Sequence, residues 1–292
     1  MLPWLAFAAI SLIWGSTWLV HVHALADFTP LGLATTRFAL AGVLCLAIGL
    51  YRGEQGCERR ELPKLLLSGL ILLGLANVLT AWTLTWIPSG VGAVLQSPIP
   101  VWMALLTMRR EPLGKAGFAA TLLGLGGVVL VLWPDERVDL ALLPAAVCVG
   151  SALMWSWAAL YQRRHVSSGG MFINTGMQML ASALVGTLLL PFFGGATVDG
   201  SVSPQAWAAL AYLTLFGSLI AFSAFLYLTR VWHPARAGSF SYLNPLVAVL
   251  LGVTLNDEPL TARLLIGMVV ILCGVALLQW VAVRRARAST PA

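Results

Sequence analysis

Ten times along this chain the sequence runs for about twenty residues with hardly a charge, and nothing else limits its folding so severely. The runs lie at 3–21, 30–51, 63–85, 89–108, 114–132, 140–161, 172–192, 204–229, 235–254 and 260–281. A helix of about 20 mostly apolar residues is long enough to cross the hydrocarbon core of a bilayer. Inside lipid every backbone polar group needs a partner within the protein, so only helices and closed barrels span. Runs of this length select helices. Composition agrees, with 59% of residues hydrophobic and 10% charged, against roughly 25% charged in a soluble globular chain. The spans leave only loops and a tail, so no extramembrane domain is expected. The expected fold class is all-α, a polytopic membrane protein of ten transmembrane helices.

The first run opens at Met1-Leu2-Pro3-Trp4, with no basic segment ahead of it and no small-residue cleavage site, and reads as a retained span. The net charge of +6 would suit nucleic acid, but its placement argues otherwise. Most of the 17 Lys and Arg residues fall in alternate loops and the tail, among them Arg52, Arg59, Arg60, Lys64, Arg109, Arg110, Arg163, Arg164, Arg230 and Arg284. That bias is the positive-inside rule and puts both termini in the cytoplasm. The expected location is a bacterial inner membrane, and nucleic acid is not an expected partner. Trp4, Trp86, Trp133, Trp207 and Trp280 fall at span ends, where indole prefers the headgroup level. Cys45, Cys57, Cys148 and Cys273 form no CxxC pair. His21 and His23 form an HxH without further ligands. Neither a metal site nor a cofactor is expected.

The second half repeats the first. Glu111-Pro112-Leu113 recurs as Glu258-Pro259-Leu260, and the same offset pairs Pro98 with Pro245, Gly127 with Gly274 and Thr80 with Tyr227. Nearer the start, a slightly smaller offset pairs Pro3 with Pro144, Trp14 with Trp155 and Arg37 with Gln178. The expected organisation is a five-helix repeat over 1–133 and a second over 134–292, the latter ending in a short basic tail. An odd number of helices per repeat makes the second enter from the opposite face. Inverted repeats give secondary transporters two related conformations, with substrate sites near the midplane.

With these features the chain resembles the drug/metabolite transporter superfamily, in its ten-helix bacterial branch of EamA type. The resemblance rests on SLIWGSTWL (11–19), TTRFALAG (35–42), WIPSGVGAVLQSPIPVWMALL (86–106), LLGLGGVVLVL (122–132) and ARAGSFSYLNPLVAVLLG (235–252), with EPL after the fourth and ninth spans. It covers essentially the whole chain. It implies helices arranged around a central cavity, peripheral fifth and tenth helices often used for self-association, and export of small metabolites such as amino acids.

Candidate path residues follow from what is polar, bulky or helix-breaking at depth. Pro98, Pro100 and Pro245 each remove a backbone donor inside a span, so bent or discontinuous helices are expected there. The alternative is a simple kink with serine back-bonding. Gln96 and Asn244 beside them carry amides that both donate and accept. Arg37 is the basic residue set well inside a span, about 10 Å from the helix start at 1.5 Å per residue. Intramembrane charges usually face the bundle interior or a hydrated cavity. Arg37 is therefore either an anchor for a substrate carboxylate or a tie between helices. Trp14 and Trp155 either line a cavity or fill space. Asn77, Thr80, Gln178, Tyr227 and Tyr242 complete the candidates. Each EPL reads chiefly as a helix start, an acidic residue and a proline at a positive helix end. Gly124, Gly127, Gly267 and Gly274 suit either a homodimer face or packing within one chain.

No GxxxxGK[ST], HExxH, GxSxG or intramembrane acid pair is present, which argues against an enzyme and against ATP use by this chain. The expected function is secondary transport of small molecules, amino acids or related compounds foremost, by alternating access. A membrane-embedded enzyme, a channel and an accessory membrane protein are the alternatives. With no Asp or Glu deep in a span, uniport, exchange or coupling through an edge carboxylate such as Glu258 is favoured over a buried proton relay.

Overall fold

The computed structural model describes residues 2–109, 114–133, 141–193, 197–198, 200–231 and 240–288, without the side chains of 226, 229, 230, 241, 242, 282 and 285–288. Among the described residues the chain forms ten helical stretches: α1 (Leu2–Ala24), α2 (Pro30–Tyr51), α3 (Leu62–Thr83), α4 (Ser89–Thr107), α5 (Gly114–Leu132), α6 (Leu142–His165), α7 (Met171–Phe193), α8 (204–231), α9 (Phe240–Leu255) and α10 (Ala262–Ala288). Nine are long and apolar enough to cross a membrane, and Leu243–Leu255 within α9 is a shorter apolar helix. The segment 235–239, expected to begin the ninth span, lies outside the described residues, as does Glu111-Pro112-Leu113.

Large apolar side chains stand on the outside throughout, Leu12, Leu50, Leu122, Leu184, Phe192 and Leu250 among them. In water that exposure would oppose folding; in lipid it costs nothing. The driving force for packing inside a bilayer is close contact between small residues, and glycines supply it here.

Contacts divide the chain into two units: Met1–Leu19, Trp86–Ala152 and Ala221–Ala292 form one, Val20–Thr85 and Leu153–Ile220 the other. Neither coincides with the halves 1–133 and 134–292; each draws helices from both. In the first unit α5 lies on α10. A Cβ on Gly274 would meet the Gly124 backbone nitrogen at 2.5 Å, and one on Gly127 would meet Ile271 N at 2.8 Å. These contacts are reciprocal. Moving each residue by the offset that relates the two EPL motifs turns the Gly124–Gly274 contact into Ile271–Gly127. Such self-complementarity is what a two-fold axis imposes on an interface. Ile87, Val94, Leu95, Val101, Val128, Met268 and Val275 fill the core around this pair. The four glycines weighed for a dimer face are thus used inside the chain. α4 packs on α9 in the same unit, where Gly90 lies against Val249.

In the second unit α2 packs on α7, its counterpart in the repeat. Gly42 and Gly176 admit Leu180 and Leu46 respectively, and Gly186 admits Thr35. α2 starts cleanly because Thr29 Oγ1 accepts from Gly32 N at 3.1 Å and Pro30 follows at the first helical position. Phe28, Leu33, Leu210 and Leu213 form a buried cluster near that end.

The expected irregular helices are partly found. α4 breaks between Gln96 and Ile99, where Pro98 and Pro100 withdraw two donors within three residues. Ser97 Oγ donates to Val94 O at 2.7 Å, so the break carries serine back-bonding as well. α9 runs through Pro245 without a break in its assigned helix. Two further irregularities have no sequence counterpart. Leu70–Leu75 in α3 and Leu213–Ile220 in α8 are π-helical, with bonds reaching five residues back. They fall in helices that the repeat pairs.

Candidate functional site

The site builds outward from Arg37. Arg37 stands seven residues beyond the proline that starts α2, inside an apolar helix long enough to span a bilayer. Nε donates to Ser218 Oγ at 3.1 Å, and Nη1 bonds His21 Nε2 at 3.0 Å. A guanidinium has donors only, so His21 Nε2 accepts, and the ring is neutral with its proton on Nδ1. Ser218 passes its own hydroxyl proton to Leu213 O at 3.2 Å, five residues back in the π-helical segment of α8. Asn77 does the same in α3: Nδ2 donates to Leu72 O at 2.9 Å, also five residues back. A π-turn frees carbonyls that an α-helix would bind, and these side chains satisfy them. Such turns concentrate at functional sites.

Leu33, Ala34, Phe38 and Ala81 wall a small open pocket to which His21, Arg37 and Asn77 bring the polar groups. It has room for about one water molecule. Helices from both sequence halves reach it, α1, α2 and α3 from the first and α8, through Ser218, from the second. No carboxylate among the described residues pairs with Arg37; the ion pairs described are Arg52–Glu54 and Arg60–Glu58.

The other expected path residues are placed as follows. Gln178, also in the second unit, is buried among α3, α6 and α7: its amide nitrogen is shared by Leu65 O at 3.2 Å, Ser68 Oγ at 3.0 Å and Gln162 Oε1 at 3.1 Å. Thr80 back-bonds to Ala76 O at 2.8 Å. Trp155 is half-buried. In the first unit, Gln96 Nε2 donates to Ser151 Oγ at 2.8 Å, tying the broken part of α4 to α6. The Asn244 amide, oriented so that its nitrogen faces acceptors, reaches Ser11 O and Phe240 O, both at 3.2 Å. Trp14 packs against Phe240 and Phe225, ring centres 5.0 and 5.7 Å away, and Tyr227 packs in the same apolar cluster. The Tyr242 side chain lies outside the described residues. Only Arg37 and Asn77 of the candidates share one described pocket.

Sequence reasoning missed His21 and Ser218 as partners of Arg37, and nothing local announces either. It also missed a set of loop carboxylates that join loops and helix starts within the second unit. Asp27 Oδ2 accepts from Ser203 N at 2.8 Å and from the Ser203 hydroxyl, which hold its carboxyl below the usual range. Glu54 Oε2 accepts from Phe172 N at 2.8 Å and Ile173 N at 3.3 Å, in the first turn of α7. Glu61 accepts from both hydroxyls and both amides of Ser167 and Ser168. The Ser168 hydroxyl does most, and with Ser167 and the amides it outweighs burial and holds the carboxyl at about 2.

Glu258 corrects the reading of EPL. Its carboxylate accepts from Ser89 N at 2.9 Å, Ser89 Oγ at 2.6 Å and Gly90 N at 2.9 Å, capping α4 and not its own helix. α10 begins only at Ala262, with Thr261 Oγ1 accepting from Leu264 N at 3.1 Å. The positive end that attracts the charge is a distant one in the sequence. Gly252 makes the approach possible, since a Cβ there would meet Glu258 Oε2.

The model of the EamA-like transporter family matches residues 2–133 and again 142–280. The inner membrane transporter YedA of Escherichia coli strain K12 is 33% identical over 261 residues, covering 88% of this chain and 83% of that one. The transporter sll0355 of Synechocystis is 28% identical over 298 residues, covering 91% and 86%. A solved crystal structure matches with a TM-score of 0.65 at 23% identity, covering 98% of each chain; that likeness concerns the fold.

Proposed function

Because the chain belongs to the EamA-like transporter family, and is therefore a membrane transporter and not an enzyme, we propose that it exports small metabolites, amino acids or related compounds foremost, by alternating access. The two halves act as inverted repeats, and the substrate site lies near the midplane, lined by helices of both. The protein sits in the inner membrane, as the name of the Escherichia coli relative has it for that protein, with both termini cytoplasmic. No ATP is consumed by this chain.

The observation that carries this reading is the reciprocal packing of α5 on α10. A contact that maps onto itself when the halves are exchanged supports a two-fold relation between them. With five helices in each half, that axis lies in the membrane plane. Exchanging the halves' conformations then converts an opening on one face into an opening on the other. The family model matching each half separately supports the same relation.

The test is flux. Purified protein in liposomes is loaded with unlabelled L-threonine, L-methionine or L-phenylalanine and supplied with the labelled form outside. Saturable counterflow is the expected result. Flux that rises linearly with concentration indicates a channel, and no flux for the whole panel sinks the amino-acid assignment.

A further inference from the structure

Arg37 is a half-buried cation whose two hydrogen-bond partners are both neutral and whose guanidinium carbon lies 5.4 Å from the Phe38 ring centre. Taking an ionised group out of water is costly unless an opposite charge compensates. Among the described residues none does: the guanidinium's acceptors are a serine hydroxyl and a neutral imidazole, and Asn77 is the remaining polar group on the pocket wall. A guanidinium serving only to tie helices would be better matched by a carboxylate or by main-chain carbonyls. Instead it stands beside an opening, and the groups next to it carry no negative charge to be displaced.

We propose that this pocket is a subsite for one carboxylate group of the transported molecule. The inference rests on the transport reading and names the chemistry that the substrate must share. A guanidinium presents paired N–H groups in a fixed plane that matches a carboxylate. His21 Nε2 and Ser218 Oγ are the weaker acceptors that hold Arg37 in the unliganded protein. The incoming carboxylate takes over part of their role, and Asn77, whose amide nitrogen donates one hydrogen to Leu72 O, lines the same pocket with a second N–H. The apolar walls of Leu33, Phe38 and Ala81 limit the water around the pair, which strengthens it. The pocket has room for one carboxylate oxygen, about the size of a water molecule, so the rest of the molecule lies beyond its mouth. A molecule with an amide, an ester or an amine in place of the carboxylate lacks the charge that compensates Arg37.

The experiment reads binding without requiring transport. Purified full-length protein in detergent is unfolded thermally with tryptophan fluorescence as readout. Sodium acetate and sodium phenylacetate are each titrated against acetamide and phenylacetamide, with sodium chloride holding ionic strength equal. A ligand that binds only the folded state raises Tm saturably. The expected result is a saturable rise with both carboxylates and none with the amides. The rise disappears in Arg37→Gln. It also disappears in Ala81→Leu, which fills the pocket and leaves both Arg37 hydrogen bonds in place. Equal responses to carboxylate and amide in the wild-type protein overturn the proposal, and so does a carboxylate response that survives in both variants. Amino-acid counterflow without any carboxylate-specific shift sinks this subsite and leaves the transport reading standing. A carboxylate-specific shift in a protein that shows no flux for the amino-acid panel sinks the amino-acid assignment and leaves the subsite.

Discussion

Glu61 shows how one side chain can carry a measurable condition for folding. It sits at the start of α3, 6% exposed, and four donors from Ser167 and Ser168 converge on it. Its folded-state pKa is about 2, against an ordinary value of 4.5. Above 4.5 the carboxylate is ionised in both folded and unfolded chains, and its stabilisation is fully present. As pH falls from 4.5 toward 2, the unfolded chain binds a proton that the folded chain refuses, and the stabilisation drains away. Melting curves of the wild type and Glu61→Gln in detergent should therefore differ by a constant amount above pH 4.5, wild type higher. The gap should close as pH approaches 2. A gap that stays constant down to pH 2 would mean the serine cradle does not hold the charge. Arg37 makes the complementary point about legibility. A lone Arg in an apolar run is conspicuous, so the residue was found. Its partners are 16 and 181 positions away, and no local pattern in α1 or α8 marks them.

At the scale of elements, apolar length decided nearly everything, since each expected span has a helix close to its expected bounds. What the runs did not disclose was the irregularity inside them. The break in α4 could be anticipated, because proline at positions 98 and 100 lacks the N–H groups that a helix needs there. The π-helical turns of α3 and α8 carry no such mark. Leu70–Leu75 is an ordinary helix-forming sequence, and Asn77 beyond it reaches back to Leu72 O. Close helix pairs test the packing argument. Gly274→Ala places a Cβ against the main chain of Gly124, which cannot rotate away as a side chain could. Overpacking of this kind costs about 1–3 kcal/mol, so α5 and α10 should separate. The variant should melt at lower temperature and show greater protease sensitivity. Gly126→Ala, whose Cβ would meet nothing within 4 Å, should be neutral.

For the whole molecule, the inversion proposed for the repeats makes a claim about sidedness. Single cysteines in a cysteine-free background, at Arg59 in the loop after α2 and at Asp257 in the loop before α10, should label from opposite faces. Arg59→Cys should react only with a permeant reagent or in inverted vesicles, and Asp257→Cys with an impermeant reagent on intact cells. Labelling of both from one face would remove the two-fold relation between the halves.

That this chain lives in a bilayer, that its apolar runs become helices among the described residues, and that its two halves are related could all be read from the amino-acid order. Those properties follow from apolar length, charge placement and motif spacing, all of which are local or strictly periodic. Only the tertiary structure decided which partner each polar group takes. Glu258 caps α4 and not α10, the glycines of α5 and α10 join within one chain, and His21 and Ser218 meet Arg37. A buried polar group must find its complement somewhere. In a helical membrane protein the nearest one in space is set by which helices pack together, and that information is spread across the whole fold.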